Sequence, residues 1–304
     1  MTILFLSHGD CAKHIMLPHH PESPLRLSAI HHALTGPRWD AKLSRQQAGE
    51  IPDDYFQGIH PKQYLQLLAD LKPGEGVVQI DPDTSLNQHS LRAAKLAAGA
   101  GLQAVEALLA GQHRSAFCAV RPPGHHAEAA IGMGFCIFNS IALAAERALS
   151  LGAERVAILD FDVHHGNGTV DIFQNRPEVL VCSSFQHPFY PDRYNDIDRP
   201  NICLTPLPEA TTGSDFRLAV ERDWIPALAA HKPDILLVSA GFDAHREDPL
   251  GGLLLEDSDY AWLGQILRDE AEKHCSGRLL SMLEGGYNTE ALARSVQQYL
   301  SVQA

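Results

Sequence analysis

Short apolar runs alternate with longer segments along this chain, and the two patterns predict different elements. The short runs predict buried strands, and they cover residues 2–6, 116–120, 155–159, 235–243 and 278–283. In the longer segments apolar residues recur at the spacing of one helix face, which predicts helices over residues 91–111, 138–151, 215–231 and 260–275. This alternation indicates an α/β fold with a central, mostly parallel β-sheet flanked by helices.

The chain shows no internal repeat and no linker rich in Pro, Ser or Gly. Its length of 304 residues would allow two domains, but single α/β domains of this size are common. We therefore predict one domain over residues 1–304.

Polar groups follow directly after the apolar run 155–159. Asp160, Asp162 and His164 stand at every second position, and side chains alternate at period two in an extended strand. We therefore expect these three side chains to converge. Burying two carboxylates on one face costs several kcal/mol unless a cation compensates them, so the pattern indicates a metal site. The alternative, a solvated Asp-rich loop, is disfavoured by the apolar run before it.

Other predicted strands end in the same way. His125 and His126 follow 116–120 after a turn formed by Pro and Gly, and Asp243 ends the run 235–243. Tyr287 follows the run 278–283. Open parallel sheets build their sites at the carboxyl ends of their strands, so we expect these side chains to meet there.

Taken together, the motifs resemble those of the histone deacetylase superfamily, which includes acetylpolyamine amidohydrolases and shares the arginase-like fold. The resemblance runs from His-Pro-Glu-Ser-Pro-Leu-Arg at 20–26, through Gly-Phe-Cys at 134–136, to Gly-Gly-Tyr at 285–287. Asn167, where one branch of the family has Asp, and Asp-Pro-Leu-Gly-Gly at 248–252 are similar to the class II pattern. The resemblance implies a single-domain arginase/deacetylase-like fold.

The resemblance implies one catalytic Zn²⁺ ion bound by Asp162, His164 and Asp243. Catalytic zinc takes three protein ligands and keeps a fourth position for water or substrate, so these residue types suit it. Oxygen-rich ligation weakens selectivity against iron, and the native metal stays open. The family also binds a structural K⁺ ion, which the resemblance implies at Asp160, Asp162, His164, Ser183 and Ser184.

The implied reaction is hydrolysis of an N-acetyl amide on a primary amine by an activated water. The resemblance places the general acid and base at His125 and His126, with Asp160 as the partner of His125 and Asn167 as the partner of His126. Because Asn lacks the charge of Asp, the two imidazoles should differ in basicity. Which histidine acts as the base stays open.

Tyr287 matches the family tyrosine whose hydroxyl donates a hydrogen bond to the developing oxyanion. The glycines at 285–286 indicate a flexible turn that would let this tyrosine move onto substrate. The alternative is a surface turn with an incidental aromatic residue.

Five residues match family positions that contact substrate. Phe135 and Tyr190 would wall a tunnel around the lysine methylenes, and Gly134 would let its carbonyl approach the substrate amide. Leu250 stands where the polyamine-selective eukaryotic branch carries Glu, which favours acetyl-lysine. Asp83 would hold a substrate backbone or ammonium group, although a turn-forming role in Asp-Pro-Asp is the simpler interpretation.

Three functional hypotheses follow. The first is a zinc-dependent deacetylase acting on an acetylated lysine peptide or protein, or on a small acylated amine, and the second is an acetylpolyamine amidohydrolase. The third is an inactive protein that binds acyl-lysine. Arginase-like activity is disfavoured because the chain lacks a second set of bridging aspartates.

The composition of the chain limits the classes of binding partner and the cellular location that we expect. The 24 basic and 37 acidic residues give a formal net charge of −13, which argues against nucleic acid. No run approaches the roughly 20 apolar residues of a membrane span, so we expect no membrane partner and a cytoplasmic location. The six cysteines form no C-x-x-C pair and indicate buried thiols in a reducing compartment. The oligomeric state is not predicted.

Overall fold

A computed structural model describes residues 2–303 and has one parallel eight-stranded sheet as its centre. In chain order the strands are β1 (Ile3–Ser7), β2 (Leu43–Gln47), β3 (Val78–Asp81), β4 (Thr84–Leu86), β5 (Ser115–Cys118), β6 (Val156–Asp160), β7 (Val179–Gln186), β8 (Ile202–Leu207), β9 (Ile235–Ala240) and β10 (Leu279–Leu283). The sheet order is β2-β1-β5-β10-β9-β6-β7-β8. Strands β3 and β4 form a separate antiparallel hairpin.

Helices connect the strands. They are α1 (Leu25–Ala33), α2 (Pro37–Asp40), α3 (Lys62–Asp70), α4 (Ser90–Leu109), α5 (Ser140–Ser150), α6 (Asn167–Phe173), α7 (Gly213–His231), α8 (Asp257–Cys275) and α9 (Thr289–Ser301). Short 3₁₀ helices lie at Gly9–Lys13 and Asp53–Gly58. None of the helices within residues 2–303 combines the length and apolarity needed to cross a bilayer.

The four central strands are buried along their whole length. Every residue of β5, β6, β9 and β10 is buried, as expected for parallel strands covered on both faces. These strands are neighbours in the order β5-β10-β9-β6. Their carboxyl ends therefore lie side by side, and the loops that follow them are brought to one edge of the sheet.

The predicted α/β fold is confirmed, and so are the predicted strands and helices within a few residues at their ends. The run 235–243 ends as a strand at Ala240, and its last residues belong to the following loop. The predicted extent of one domain over 1–304 stays a prediction, since Met1 and Ala304 lie outside the described residues. The cytoplasmic location and the expected lack of nucleic-acid and membrane partners also stay predictions.

All six cysteines are free thiols, and all but Cys203 are buried. The prediction of buried thiols is therefore confirmed for five of the six.

His60 is a buried imidazole whose two nitrogens are both used. The Asn139 N–H donates to Nε2 at 3.0 Å, so the proton sits on Nδ1 and is donated to the Ala129 carbonyl at 2.9 Å. Burial lowers the pKa of His60 from 6.5 to about 4. The folded state therefore requires the neutral ring.

We expect acid to destabilise the fold partly through His60. Its contribution is complete above pH 6.5 and is lost as the pH falls towards about 4, because only the unfolded chain takes up the proton in that window. The urea midpoint should fall between pH 7.5 and pH 5, and His60→Gln should weaken that dependence. His32→Gln, at an exposed site, is the control and should retain the full dependence. Equal pH dependence in His60→Gln and the wild type would contradict the assignment.

Candidate active site

Three side chains at the carboxyl edge of the sheet form a candidate metal site. Asp162, His164 and Asp243 each offer a ligand atom within 4.8 Å of the others. His164 Nδ1 lies 3.0 Å from Asp162 Oδ1 and 3.2 Å from Asp243 Oδ2. Asp162 and Asp243 are 1% and 0% exposed, and within residues 2–303 the buried Asp243 Oδ2 has no hydrogen-bond partner. A divalent cation would satisfy that oxygen.

Asp160, the last residue of β6, is not one of the three residues of this cluster. Its Oδ1 accepts the Asp162 N–H at 3.1 Å, and its Oδ2 lies 2.9 Å from His125 Nδ1. The expected convergence of Asp160 with Asp162 and His164 on one ion stays a prediction. Asp243, which comes from the end of the neighbouring strand β9, completes the cluster.

Backbone amides hold the two carboxylates of the cluster. The Val163 N–H donates to Asp243 Oδ1 at 2.9 Å, and the Gly285 N–H donates to Asp162 Oδ2 at 2.8 Å. A Cβ atom on Gly285 would lie 1.9 Å from Asp243 Oδ2 and 2.6 Å from Asp162 Oδ2. Only glycine allows the backbone to approach so closely, which explains this residue better than a need for flexibility.

The electrostatics of the cluster also suit a cation. Burial and repulsion from Asp162 raise the pKa of Asp243 to about 7. Burial acts in the same direction on Asp162, but His125 and His164 outweigh it and hold the pKa of Asp162 below its ordinary range. Two buried carboxylates and one imidazole, with one oxygen left unpaired, fit a three-ligand zinc site.

The tandem histidines lie beside the metal cluster with their ring centroids 4.0 Å apart. His125 Nδ1 lies 2.9 Å from Asp160 Oδ2, and His126 Nδ1 lies 2.7 Å from Asn167 Oδ1. Both pairings expected from the resemblance are thus brought within hydrogen-bond distance. His126 also faces the cavity described below, whereas His125 does not line it.

The pKa values of the two imidazoles are shifted in opposite directions. Burial favours neutral His125, but Asp160, Asp162 and Glu284 outweigh burial and raise the pKa of His125 well above its usual value. Burial and the neighbouring His125 and His164 lower the pKa of His126 well below its usual value.

Glu128 fixes the orientation of the Asn167 amide. Asn167 Nδ2 donates to Glu128 Oε1 at 2.8 Å, so its Oδ1 faces His126. Arg193 holds Glu128 in turn at 2.6 and 2.8 Å. His126 Nδ1 must therefore carry a proton, which leaves Nε2 with a free lone pair.

Glu284 is a fourth buried carboxylate at this edge, and sequence reasoning gave it no role. Its Oε2 accepts the backbone N–H groups of Gly124 and His125 at 2.6 and 3.1 Å, and Ser239 donates to Oε1 at 3.1 Å. Burial raises the pKa of Glu284 to about 7. The signal available in the sequence was a carboxylate directly after the apolar run 278–283.

A cavity of about 430 Å³ opens onto the cluster and the histidine pair. It is lined by predicted site residues, namely Asp83, His126, Gly134, Phe135, His164, Tyr190, Leu250 and Tyr287. The other predicted site residues, namely His125, Asp160, Asp162, Asn167, Ser183, Ser184 and Asp243, are buried and do not line it.

Aromatic rings form part of the cavity wall. Phe189 stacks on His164 at 5.4 Å, and Tyr190 presents its edge to His126 at 5.3 Å. Both residues of the Phe189-Tyr190 pair therefore line the cavity, although sequence reasoning selected only Tyr190. Phe135 lies 5.8 Å from the ring of Tyr287.

Gly134 has a positive φ of +56°, and a Cβ there would lie 2.3 Å from the His126 ring. Its lack of a side chain thus makes room for His126. Asp83 sits in the turn between β3 and β4, where Oδ1 accepts the Gly134 N–H at 3.1 Å. The turn-forming role of Asp83 is therefore visible in the structure, together with a bond that holds the cavity wall.

The Tyr287 ring contacts one cationic and one aromatic side chain. The Arg26 guanidinium lies 5.0 Å from the ring centroid, and the Phe135 ring lies 5.8 Å from it. Burial and the carboxylate of Asp243 raise the pKa of Tyr287 well above its usual value, so the phenol keeps its proton. The sequence motif at 20–26 ends with Arg26, but sequence reasoning gave this residue no role.

Ser183 and Ser184 lie beside the strand that leads to the metal cluster. Asp160 pairs with Ser183 in the β6–β7 register, and the Ser184 hydroxyl donates to the Asp160 carbonyl at 3.3 Å. The Ser183 hydroxyl lies 2.9 Å from His165 Nδ1.

Comparison with known proteins identifies the family. Residues 20–303 match the family model for the histone deacetylase domain, so the chain belongs to the histone deacetylase family. It is 35% identical to a probable deacetylase of Archaeoglobus fulgidus over 93% of this chain and 80% of that one. It is 35% identical to a histone deacetylase-like amidohydrolase of Pseudomonas aeruginosa over 88% of this chain and 73% of that one.

A solved structure gives the same result. The crystal structure of the HDA15 HD domain superposes with a TM-score of 0.93 at 32% identity, covering 99% of this chain and 88% of that one. The arginase/deacetylase-like α/β fold is therefore confirmed.

We expect Asp243→Asn to lose most bound zinc, because the substitution keeps the size of the side chain but removes one anionic ligand. Zinc affinity should fall by more than about tenfold, since even changes outside the ligand shell cost that much. Metal content after dialysis, measured by mass spectrometry, checks this. Asp198→Asn, at an exposed carboxylate, is the control and should bind zinc like the wild type. Wild-type zinc content in Asp243→Asn would rule out this site.

Proposed function

We propose that this protein is a zinc-dependent amidohydrolase that removes acetyl or related acyl groups from the side-chain amine of lysine. The observation that carries the proposal is that the Asp162, His164 and Asp243 cluster, the cavity-facing His126 and Tyr287 meet at one cavity of about 430 Å³. Two relatives, a probable deacetylase and a histone deacetylase-like amidohydrolase, support the same reaction class.

Asp162, His164 and Asp243 would hold the zinc ion. When bound there, zinc would supply Lewis-acid polarisation and lower the pKa of a water towards about 7. The ligands themselves are rigid, because backbone N–H groups and neighbouring side chains already fix their carboxylates.

His126 is the better of the two histidines to take the proton of the attacking water. Its Nε2 is free because Asn167 holds the proton on Nδ1, and its ring faces the cavity. The hydroxide adds to the acyl carbon, the C–N bond breaks, and the departing amine receives a proton from the histidine pair. The Asp160 carboxylate stabilises the protonated form of His125, so that the pair consists of a cationic His125 and a neutral His126.

Tyr287 would donate its phenolic proton in a hydrogen bond to the carbonyl oxygen as negative charge develops there. Its raised pKa keeps that proton in place at neutral pH. Phe135 and Tyr190 would flank the aliphatic part of the substrate, and Asp83 would accept an N–H of the substrate backbone.

Hydrolysis of acetylated polyamines is the alternative. The carboxylates of Asp83 and Glu209 both line the cavity, and neither forms an ion pair with another described residue. A second ammonium group on the substrate would suit them. Leu250, in contrast, contributes no charge to the cavity lining.

We also propose a structural K⁺ ion beside β6. Backbone carbonyls of Asp160, Asp162 and His164 would bind it together with Ser183 and Ser184. Support comes from the register that places Ser183 beside Asp160 and from the hydrogen bond of 3.3 Å from the Ser184 hydroxyl to the Asp160 carbonyl. Carbonyl and hydroxyl oxygens suit a hard cation.

We expect Tyr287→Phe to fold normally and to lose turnover on an acetyl-lysine peptide by about a hundredfold or more, because it removes one oxyanion donor. Steady-state kcat and the thermal midpoint are the measurements. Tyr55→Phe makes the same chemical change at a ring that packs against Arg147 and does not line the cavity, and it should leave kcat unchanged. A Tyr287→Phe enzyme with wild-type kcat would remove the oxyanion role.

We expect the wild type to prefer an acetyl-lysine peptide over an acetylated polyamine, measured as kcat/KM on metal-quantified protein. Leu250→Glu should shift the ratio towards the polyamine by up to about fivefold, because an exposed ion pair contributes up to about 1 kcal/mol. Leu250→Gln, of similar size but neutral, is the matched control. A wild-type preference for the polyamine of tenfold or more would make the alternative the better proposal.

A further inference from the structure

Tyr287 sits in the loop between β10 and α9, and this loop is attached to the rest of the protein by polar contacts. The Arg26 Nε–H donates to the Gly286 carbonyl at 2.6 Å, and Arg26 also donates to the Glu284 carbonyl. The backbone N–H groups of Tyr287 and Asn288, in the same loop, both donate to a single carboxylate.

That carboxylate belongs to Asp248, which is 7% exposed. Its Oδ2 accepts the Tyr287 N–H at 2.6 Å and the Asn288 N–H at 3.2 Å. Its Oδ1 accepts the Leu250 N–H at 3.0 Å. One side chain, Asp248, therefore connects two segments of the chain: the loop between β10 and α9 that carries Tyr287 (the tyrosine loop) and the turn that carries Leu250.

We propose that Asp248 is a positioning residue that fixes two residues of the cavity lining, Tyr287 and Leu250, relative to each other and so aligns the hydroxyl of Tyr287. The inference rests on the proposed function of Tyr287. Asp248 does not line the cavity, so it acts through the backbone of these two residues and has no contact with substrate.

The chemistry of the contact requires a carboxylate. Three N–H donors converge, and an ionised carboxylate has two oxygens that can accept all of them without offering a donor in return. Bonds from backbone N–H to an ionised acceptor are also shorter and stronger than neutral ones. An asparagine would keep one acceptor oxygen and turn an NH₂ group towards a backbone N–H.

A purely local role does not explain these contacts. The bond to Leu250 spans two residues and is the ordinary turn made by Asp before Pro. The bonds to Tyr287 and Asn288 span 39 and 40 residues and join two loops that follow different strands. Turn formation alone would not need this second oxygen.

The first test is a double-mutant cycle of Asp248→Asn and Tyr287→Phe on an acetyl-lysine peptide. Asp248→Asn alone should lower kcat by about tenfold, the usual effect of losing a hydrogen bond to a charged group. In the Tyr287→Phe background the same substitution should cost less than about twofold, because the hydroxyl that it positions is gone. Fully additive losses would overturn the proposal, since they would mean that Asp248 acts independently of Tyr287.

The second test does not depend on activity. Hydrogen–deuterium exchange should show faster exchange of the amides of Tyr287, Asn288 and Leu250 in Asp248→Asn, by at least about tenfold, because each loses an acceptor. Unchanged protection there would overturn the proposal. If the wild type hydrolyses no acylamine while these amides respond as expected, the proposed reaction fails and the positioning contact stands.

Two further variants complete the design. Glu247→Gln removes a neighbouring charge whose exposed carboxylate pairs with Arg294 at 2.8 Å, and it should change neither kcat nor exchange at Tyr287. Asp248→Glu keeps the carboxylate on a longer side chain and should recover part of the kcat lost in Asp248→Asn. If Asp248→Asn does not fold, the cycle is run with Asp248→Glu, and equal kcat losses from Asp248→Glu with and without Tyr287 would overturn the proposal.

Discussion

The compensation of buried negative charge at one edge of the sheet is the constraint on which the rest of the site depends. Asp160, Asp162, Asp243 and Glu284 follow neighbouring strands and are at most 1% exposed. Leaving such groups unpaired would cost several kcal/mol each. Each carboxylate is therefore stabilised by hydrogen bonds. His125 is the partner of Asp160, and backbone N–H groups donate to the other three. One oxygen of Asp243, Oδ2, has no hydrogen-bond partner among the described residues, and Asp243 belongs to the candidate metal cluster.

The same constraint explains a buried charge network behind the tyrosine loop. Glu22 is fully enclosed by Arg26 and Arg121, which hold its pKa at about 2 against the cost of burial. Arg26 uses its remaining N–H groups on the carbonyls of Glu284 and Gly286. A segment near the start of the chain is thereby connected to the loop that carries Tyr287, so the conformation of that loop is set by residues more than 250 positions away.

The sequence predicted those parts of the molecule in which one pattern decides the outcome. Strands such as β6 and β9 were predictable because almost all of their residues are apolar. Strand β2 was not predictable, because only its first residue is apolar and the other four are polar. The resemblance led to the residues now found around the cavity, although their roles stay proposals. The contributions of Glu284 and Asp248 were not predictable, because their partners are backbone N–H groups of remote loops, and no spacing in the sequence reveals such contacts.

Asn167 illustrates how these contacts decide a residue type. Its amide joins His126 on one side to Glu128 on the other, and Glu128 is itself held by Arg193. An aspartate at this position would place two carboxylates about 3 Å apart, where like charges strongly disfavour joint ionisation. A neutral amide at position 167 is therefore the residue type that suits the adjacent Glu128 carboxylate. Because the amide is neutral, His126 gains no negative partner comparable to Asp160, and the two adjacent imidazoles are driven to opposite protonation preferences.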